Sequence, residues 1–243
     1  MNGIHVCPKC GAKFNPPREV QSECPKCGIW FHKWNAPLPA AVAPAMTVDA
    51  MEEAAEETAP PPPDDVTYYG RAAALALVAV WGVFLTRDDY RDPEPGFMHQ
   101  ILLPIHEAGH VFFMILGEFM HILGGSLFQV ALPFAIGVAF YVKQRDPFGA
   151  AICLWWTGAS LVDLSPYIYD ALYPKLMLLG GRTGEDGGPH DWIYLLDRFH
   201  AIQSAQTLGK FTHHLGFLVM MGAVAWGASW LWKMAPWRRA APP

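Results

Sequence analysis

The chain is polar for its first third and then turns apolar in blocks, each long enough to matter and each closed by a polar or glycine-rich break. "RAAALALVAVWGVFLT" (71–86) is the first block, a little short for a membrane span, with Tyr68, Tyr69 and Trp81 as interface aromatics. "ILLPIHEAGHVFFMILGEFMHIL" (101–123) is the second and reaches the roughly 20 residues a bilayer requires. Gly124-Gly125 predicts a tight break, after which "SLFQVALPFAIGVAFYV" (126–142) returns. "FGAAICLWWTGASLVDLSPYIYDAL" (148–172) and "FTHHLGFLVMMGAVAWGASWLW" (211–232) complete the set. Between these two lie the glycine-rich "LLGGRTGEDGGPHDW" and a predicted amphipathic helix, "WIYLLDRFHAIQSAQTLG".

This pattern predicts an all-α polytopic membrane domain over residues 67–243, with about five transmembrane helices and a range of four to six. Composition agrees: 52% of residues are hydrophobic and only 16% charged, against about 25% charged in soluble domains. Five spans would leave the two ends on opposite sides. That conflicts with a cytosolic N-terminus and with the basic flank Lys233, Arg238 and Arg239, which the positive-inside rule also places in the cytosol. One arm of the 101–142 hairpin is therefore a candidate re-entrant segment.

Residues 1–34 read differently. Four of the five cysteines fall here as two "CPKC" pairs, Cys7, Cys10, Cys24 and Cys27, each pair followed by a glycine suited to a tight turn. Two C-x-x-C pairs with no βαβ pattern around them indicate a metal site rather than a redox motif. Four thiolates suit structural Zn²⁺, and a unit this small needs the metal to fold. The segment resembles a zinc ribbon, with a short hairpin expected between Cys10 and Cys24, and reduced thiolates place it in the cytosol. Cys153, alone in an apolar run, is a packing residue.

Residues 35–66 are rich in Ala and Pro and should form a disordered acidic linker. Seven acids between Trp34 and Gly70 exceed the whole net charge of −5, so the remainder is weakly positive and nothing argues for a nucleic-acid partner. No apolar signal segment opens the chain. The expected location is a bacterial-type inner or plasma membrane, multi-pass, in contact with the lipid bilayer.

The second apolar block carries the chemistry. On a helix, residues four apart differ by about 40° in direction and about 6 Å in height, so His106 and His110 of "HEAGH" can grip one ion. Glu107 can then reach a water beside it. This is the H-E-x-x-H arrangement of zinc metallohydrolases, with the histidines as ligands and the glutamate as general base. Ionisable residues are scarce in membrane spans unless they have a function. Glu118 and His121 lie about 12 and 16 Å further along the same helix, too far to share the ion unless that helix breaks. Leu116 occupies the place of a metzincin-type third histidine.

"HEAGH" in a membrane helix resembles the site-2 protease family of intramembrane zinc proteases. The resemblance implies a third ligand, an Asp on a later membrane helix. "SLVDLSPYIYDA" offers Asp163 and Asp170, with Tyr167 between them on one helical face if Pro166 only kinks the helix. Asp163 lies deeper in the apolar run and is preferred. Asp170 is the alternative, or a hydrogen-bond partner of a ligand histidine. The family's Asn-Pro and Asp-Gly pattern is missing here. His190 of "GPHDW" is a further alternative, with Asp191 read as the cap of the next helix. His213 and His214 fit an interfacial role, and His99 and His200 carry no special signal.

The expected function is zinc-dependent endopeptidase activity on membrane-protein or peptide substrates. It calls for one catalytic Zn²⁺ and one structural Zn²⁺, with the ribbon free to recruit a soluble partner. The competing readings are a non-catalytic membrane scaffold with a purely structural metal, and a metal-handling protein with Asp163 and Asp170 on an ion path.

Overall fold

The computed structural model describes residues 3–33, 63–87 and 96–239. The chain divides into two compact units, Met1–Ala59 and Pro60–Pro243. Most of the expected 35–66 linker lies outside the described residues; at its end, Asp64 already caps a helix.

The N-terminal unit is two metal-knuckle turns and a two-stranded sheet. Strand β1 (Ile4–Val6) pairs antiparallel with β2 (Lys13–Arg18), with Ile4 opposite Arg18 and Val6 opposite Lys13. The hairpin expected between Cys10 and Cys24 is thus replaced. That segment supplies one strand, and its partner lies upstream of Cys7. Each "CPKCG" folds alike: Gly11 N–H donates to the Cys7 carbonyl at 3.0 Å and Gly28 N–H to the Cys24 carbonyl at 2.9 Å. Both glycines sit at φ +70°, a left-handed conformation that disfavours other residues. Cys7, Cys24 and Phe31 form the small core, with Phe14 edge-on to Phe31. Among the described residues no larger apolar core holds this unit, which is the condition under which a metal supplies folding energy.

Among the described residues, every regular element of the second unit is a helix. Helix α1 (Asp65–Leu85) opens on Asp64, whose side chain accepts from the Thr67 N–H at 2.7 Å. Helix α2 (Phe97–Phe113) passes through a short 3₁₀ turn, Met114–Leu116, to Gly117 at φ +94°. There the chain reverses into α3 (Glu118–Val142). Helix α4 (Pro147–Asp170) begins with Asp146 as cap and Pro147 in its first turn, and runs on past Pro166. The short α5 (Asp191–Arg198) ends at a turn containing His200, φ +54°. A 3₁₀ turn (Ile202–Ser204) then leads into α6 (Ala205–Lys233), and α7 (Pro236–Arg239) closes the chain.

Among the described residues, four helical stretches are long and apolar enough to cross a membrane: Asp65–Leu85, Glu118–Val142, Pro147–Asp170 and Ile202–Arg238. Four crossings would return the chain to the side it started from, removing the conflict that five create. The expected 101–123 span does not exist as one helix. The break falls at Gly117, and Gly124-Gly125 lies inside α3. That glycine pair serves close approach instead: a Cβ on Gly124 would meet the Gly109 carbonyl oxygen at 2.7 Å, so α2 and α3 pack backbone to backbone. The predicted 192–209 amphipathic helix is likewise two elements, split around His200.

Helix α4 lies at the centre, buried along most of its length against α6, α3 and α1. Met98, Leu102, Trp155, Ala159, Val162, Met220 and Ala223 form the main apolar cluster. Large apolar side chains such as Leu77, Val80, Phe134 and Leu218 are exposed on the outer faces. A lipid surround suits that distribution. Since lipid tails are as apolar as leucine, interdigitation rather than burial holds such helices together.

Candidate metal centre

The four cysteine sulfurs lie within 4.8 Å of one another. Cys7 and Cys27 are 3.6 Å apart, and Cys10 and Cys24 3.8 Å. A tetrahedron of thiolates at zinc's usual bond length has edges of about 3.8 Å, so the set fits the ion. Burial works against the Cys7 thiolate, but the backbone N–H groups of Cys10 and Lys9 stabilise it and bring its pKa to about 6. Burial and the surrounding thiols push Cys27 up to about 12. Four thiolates cannot crowd here without a cation.

A second group of donors forms in the helical unit. The Nε2 atoms of His106 and His110 and a carboxylate oxygen of Asp191 lie within 4.8 Å of one another. Asp191 Oδ2 is 3.0 Å from His106 Nε2 and 3.3 Å from His110 Nε2. Zinc bound to nitrogen and oxygen at about 2.0–2.1 Å would set such edges at about 3.3 Å, so these residues also fit the ion. Gly125 lies directly over them. A Cβ there would come within 2.5 Å of both Nε2 atoms, so only glycine leaves room for an ion.

The proton positions on the two imidazoles follow from their other nitrogens. His110 Nδ1 is 2.8 Å from the carbonyl oxygen of His121, which can only accept, so Nδ1 carries the hydrogen and Nε2 keeps its lone pair. His121 Nδ1 donates in return to the His110 carbonyl at 2.8 Å. This exchange pins α2 to α3 across the Gly117 turn. His106 Nδ1 is 2.9 Å from Gln129 Oε1.

Asp191 comes from outside the H-E-x-x-H helix altogether. Its own N–H donates to the Tyr167 hydroxyl at 2.8 Å, and the neighbouring Trp192 Nε1–H donates to Ser126 Oγ at 3.1 Å. Burial opposes its charge; with hydrogen on the Nε2 atoms, as in the absence of an ion, bonds from the two imidazoles outweigh burial and hold the carboxyl down to about 2, and a bound cation would take the place of those hydrogens.

The residues expected to complete the set take other places. Asp163 accepts from Gln129 Nε2–H at 2.9 Å and from His99 Nδ1 at 3.1 Å, two bonds removed from the His pair. Asp170 accepts from the N–H groups of Lys175 at 2.8 Å and Leu176 at 3.2 Å and lies 3.3 Å from His190 Nε2. His190 caps α5, its Nδ1 accepting from the Ile193 N–H. The cap is therefore His190, and Asp191 is the acid that stands with the histidine pair as a candidate donor, the reverse of the sequence assignment. An acid directly after a cap position, reached through a flexible glycine run, was the only local signal, and it equally describes an ordinary helix start. Gln129 had no signal at all.

His106, His110, Gln129, Asp163, His190 and Asp191 line one cavity of about 1010 Å³, and Asp170 does not. Glu107 faces it, half-buried, and among the described residues nothing hydrogen-bonds its carboxylate. His121 and Glu118 line it too, since the break at Gly117 folds them back beside His110. Neither joins the three-donor group. Comparison with known protein families, curated proteins and solved structures finds no match.

Proposed function

We propose that the protein is a membrane zinc-dependent endopeptidase of site-2 protease-like type, acting on peptide segments of membrane-associated proteins. One observation carries the reading: His106, His110 and Asp191 form a three-donor set that opens onto a cavity with the Glu107 carboxylate beside it. A structural zinc closes with four protein ligands, whereas a catalytic one keeps a position for water. Among the described residues only three donors converge, which weighs against the scaffold reading.

These three residues would hold zinc, which when bound would polarise a carbonyl and acidify a water. Glu107 takes the proton from the attacking water and passes it to the leaving amine. Gln129 and the His121 carbonyl keep the Nδ1 protons of His106 and His110 in place, so both Nε2 atoms stay available throughout. The cavity exceeds what a water path needs and suits a short unwound stretch of peptide. A helical substrate must unwind to enter, because its carbonyls are otherwise taken by its own ladder. The ribbon, on the cytosolic side in this reading, recruits a soluble partner or substrate tail.

The test uses the purified full chain against an unstructured reporter peptide in detergent. Hydrolysis that is lost in Glu107→Gln while two zinc ions per chain remain supports the reading. Hydrolysis at the parent rate in that variant refutes it.

A further inference from the structure

Hydrogen bonds link His106 to Asp163, the carboxylate first expected to bind the ion itself, and continue beyond it to His99. Four side chains connect in line: His99 Nδ1 to Asp163 Oδ1 at 3.1 Å, Asp163 Oδ2 to Gln129 Nε2 at 2.9 Å, and Gln129 Oε1 to His106 Nδ1 at 2.9 Å. His99 and His106 lie two turns apart on α2, and Gln129 and Asp163 reach between them from α3 and α4. His106 and Gln129 are buried, and the Asp163 side chain is only 15% exposed. Water offers these groups little alternative pairing, and each orientation dictates the next.

The glutamine is the informative member. An amide presents a donor on one side and an acceptor on the other, and nothing in the amide itself decides which faces where. The partner on the far side settles it, because the Asp163 oxygen that meets Gln129 accepts from its NH₂. Both Asp163 oxygens are engaged, one by His99 and one by the Gln129 NH₂. The glutamine carbonyl must therefore face His106 and receive its Nδ1–H. An imidazole with hydrogen on Nδ1 has its lone pair on Nε2, the nitrogen that faces Asp191 and His110. If Gln129 turned over, its NH₂ would confront that Nδ1–H, donor against donor. The alternative tautomer would place hydrogen on the metal-facing nitrogen.

We propose that Asp163, acting through Gln129, is a positioning residue that fixes the proton of His106 on Nδ1 and so prepares Nε2 to bind metal. The proposal rests on His106 as a metal ligand but not on any catalytic step. It assigns Asp163 a reason to sit in an apolar bundle without touching the ion. It also makes a demand that packing alone does not: the polarity of the chain matters, and its shape does not suffice.

The full chain keeps its ribbon, whose four-cysteine site should give a cadmium NMR signal distinct from that of a nitrogen–oxygen site and so serve as an internal reference. Zinc affinity of the second site is measured by chelator competition. Gln129→Leu removes the acceptor and should weaken that site roughly 10–100-fold, the range usual for such supporting partners. Asp163→Asn frees the amide to turn and should cost about tenfold by the same reasoning. The double variant Gln129→Glu with Asp163→Asn moves the carboxylate one link along. The carboxylate introduced at position 129 would accept both from His106 and from the amide introduced at position 163, and affinity should return close to the parent value. Asp163→Asn without effect, or a double variant no tighter than Asp163→Asn alone, overturns the proposal. Absence of a nitrogen–oxygen cadmium signal in the parent overturns it together with the proposed function. The expected affinity pattern with hydrolysis indifferent to Glu107→Gln removes the catalytic reading and leaves this one standing.

Discussion

The ribbon and the helical centre both gather metal donors within 4.8 Å, yet they are assembled in opposite ways. In the ribbon all four donors come from two copies of one five-residue turn, and local backbone bonds shape each copy. In the helical unit two donors share a helix turn, while the third arrives 81 positions after His110 at the head of a short helix. The ribbon offers four donors, a closed set for one ion. The helical centre offers three, with a further carboxylate, Glu107, on the cavity wall. Local repetition makes a closed set and long-range convergence an open one, which under the proposed function is the distinction between holding a fold and doing chemistry.

Four changes probe this contrast. Glu107→Gln should lower peptide hydrolysis by about 10²–10⁴-fold, the usual contribution of a general base, with metal content at both sites unchanged by elemental analysis. No ribbon cysteine should show this separation of activity from metal, since replacing Cys7 with Ser should cost zinc and local folding together. Asp191→Ala should remove zinc from the helical centre only, leaving one ion per chain. Asp163→Ala should weaken binding without abolishing it, and an equal loss in both variants would mean that Asp163 is a direct ligand after all.

Gly125→Ala should have the same selective effect by occupying the ion's space, and should cost about 1–3 kcal/mol of stability as an overpacked site, read from thermal unfolding. A surface glycine replacement in the ribbon would not touch the helical centre. The smallest effect concerns protons. Near pH 7, Cys27, raised to about 12 in the metal-free ribbon, still holds its proton and must release it when zinc binds, whereas Cys7 at about 6 is already largely ionised. Zinc uptake by the ribbon should therefore release fewer than four protons per ion in a weakly buffered indicator assay, and the number should rise as the pH falls below 6.

Much of this was legible in the order of residues because its physics is local. A C-x-x-C-G turn binds metal through bonds spanning a few residues, and H-E-x-x-H places two imidazoles on one helical face wherever a helix forms. Long apolar runs announced α1, α3, α4 and α6 for the same reason. The misreadings arose where one residue type serves two physical purposes. Gly124-Gly125 has the composition of a turn, but the pair allows α2 and the imidazoles to come close, and the reversal falls at Gly117 instead. Asp191 follows a glycine run at a helix start and looks like a cap, a role His190 takes.

The sequence by itself determined that the chain has a four-thiolate knuckle pair, an apolar helical region and a histidine pair with a glutamate between them, since each depends on neighbours within a few residues. Only the tertiary structure decided which acid joins the histidines. Asp163, Asp170 and Asp191 are chemically alike, and what separates them is where α4 and α5 dock. Docking brings Asp191 to the Nε2 atoms through the Tyr167 and Trp192 contacts, and it interposes Gln129 between Asp163 and His106. A ligand's identity depends on distances of about 3 Å between segments far apart in the chain, and packing sets those distances.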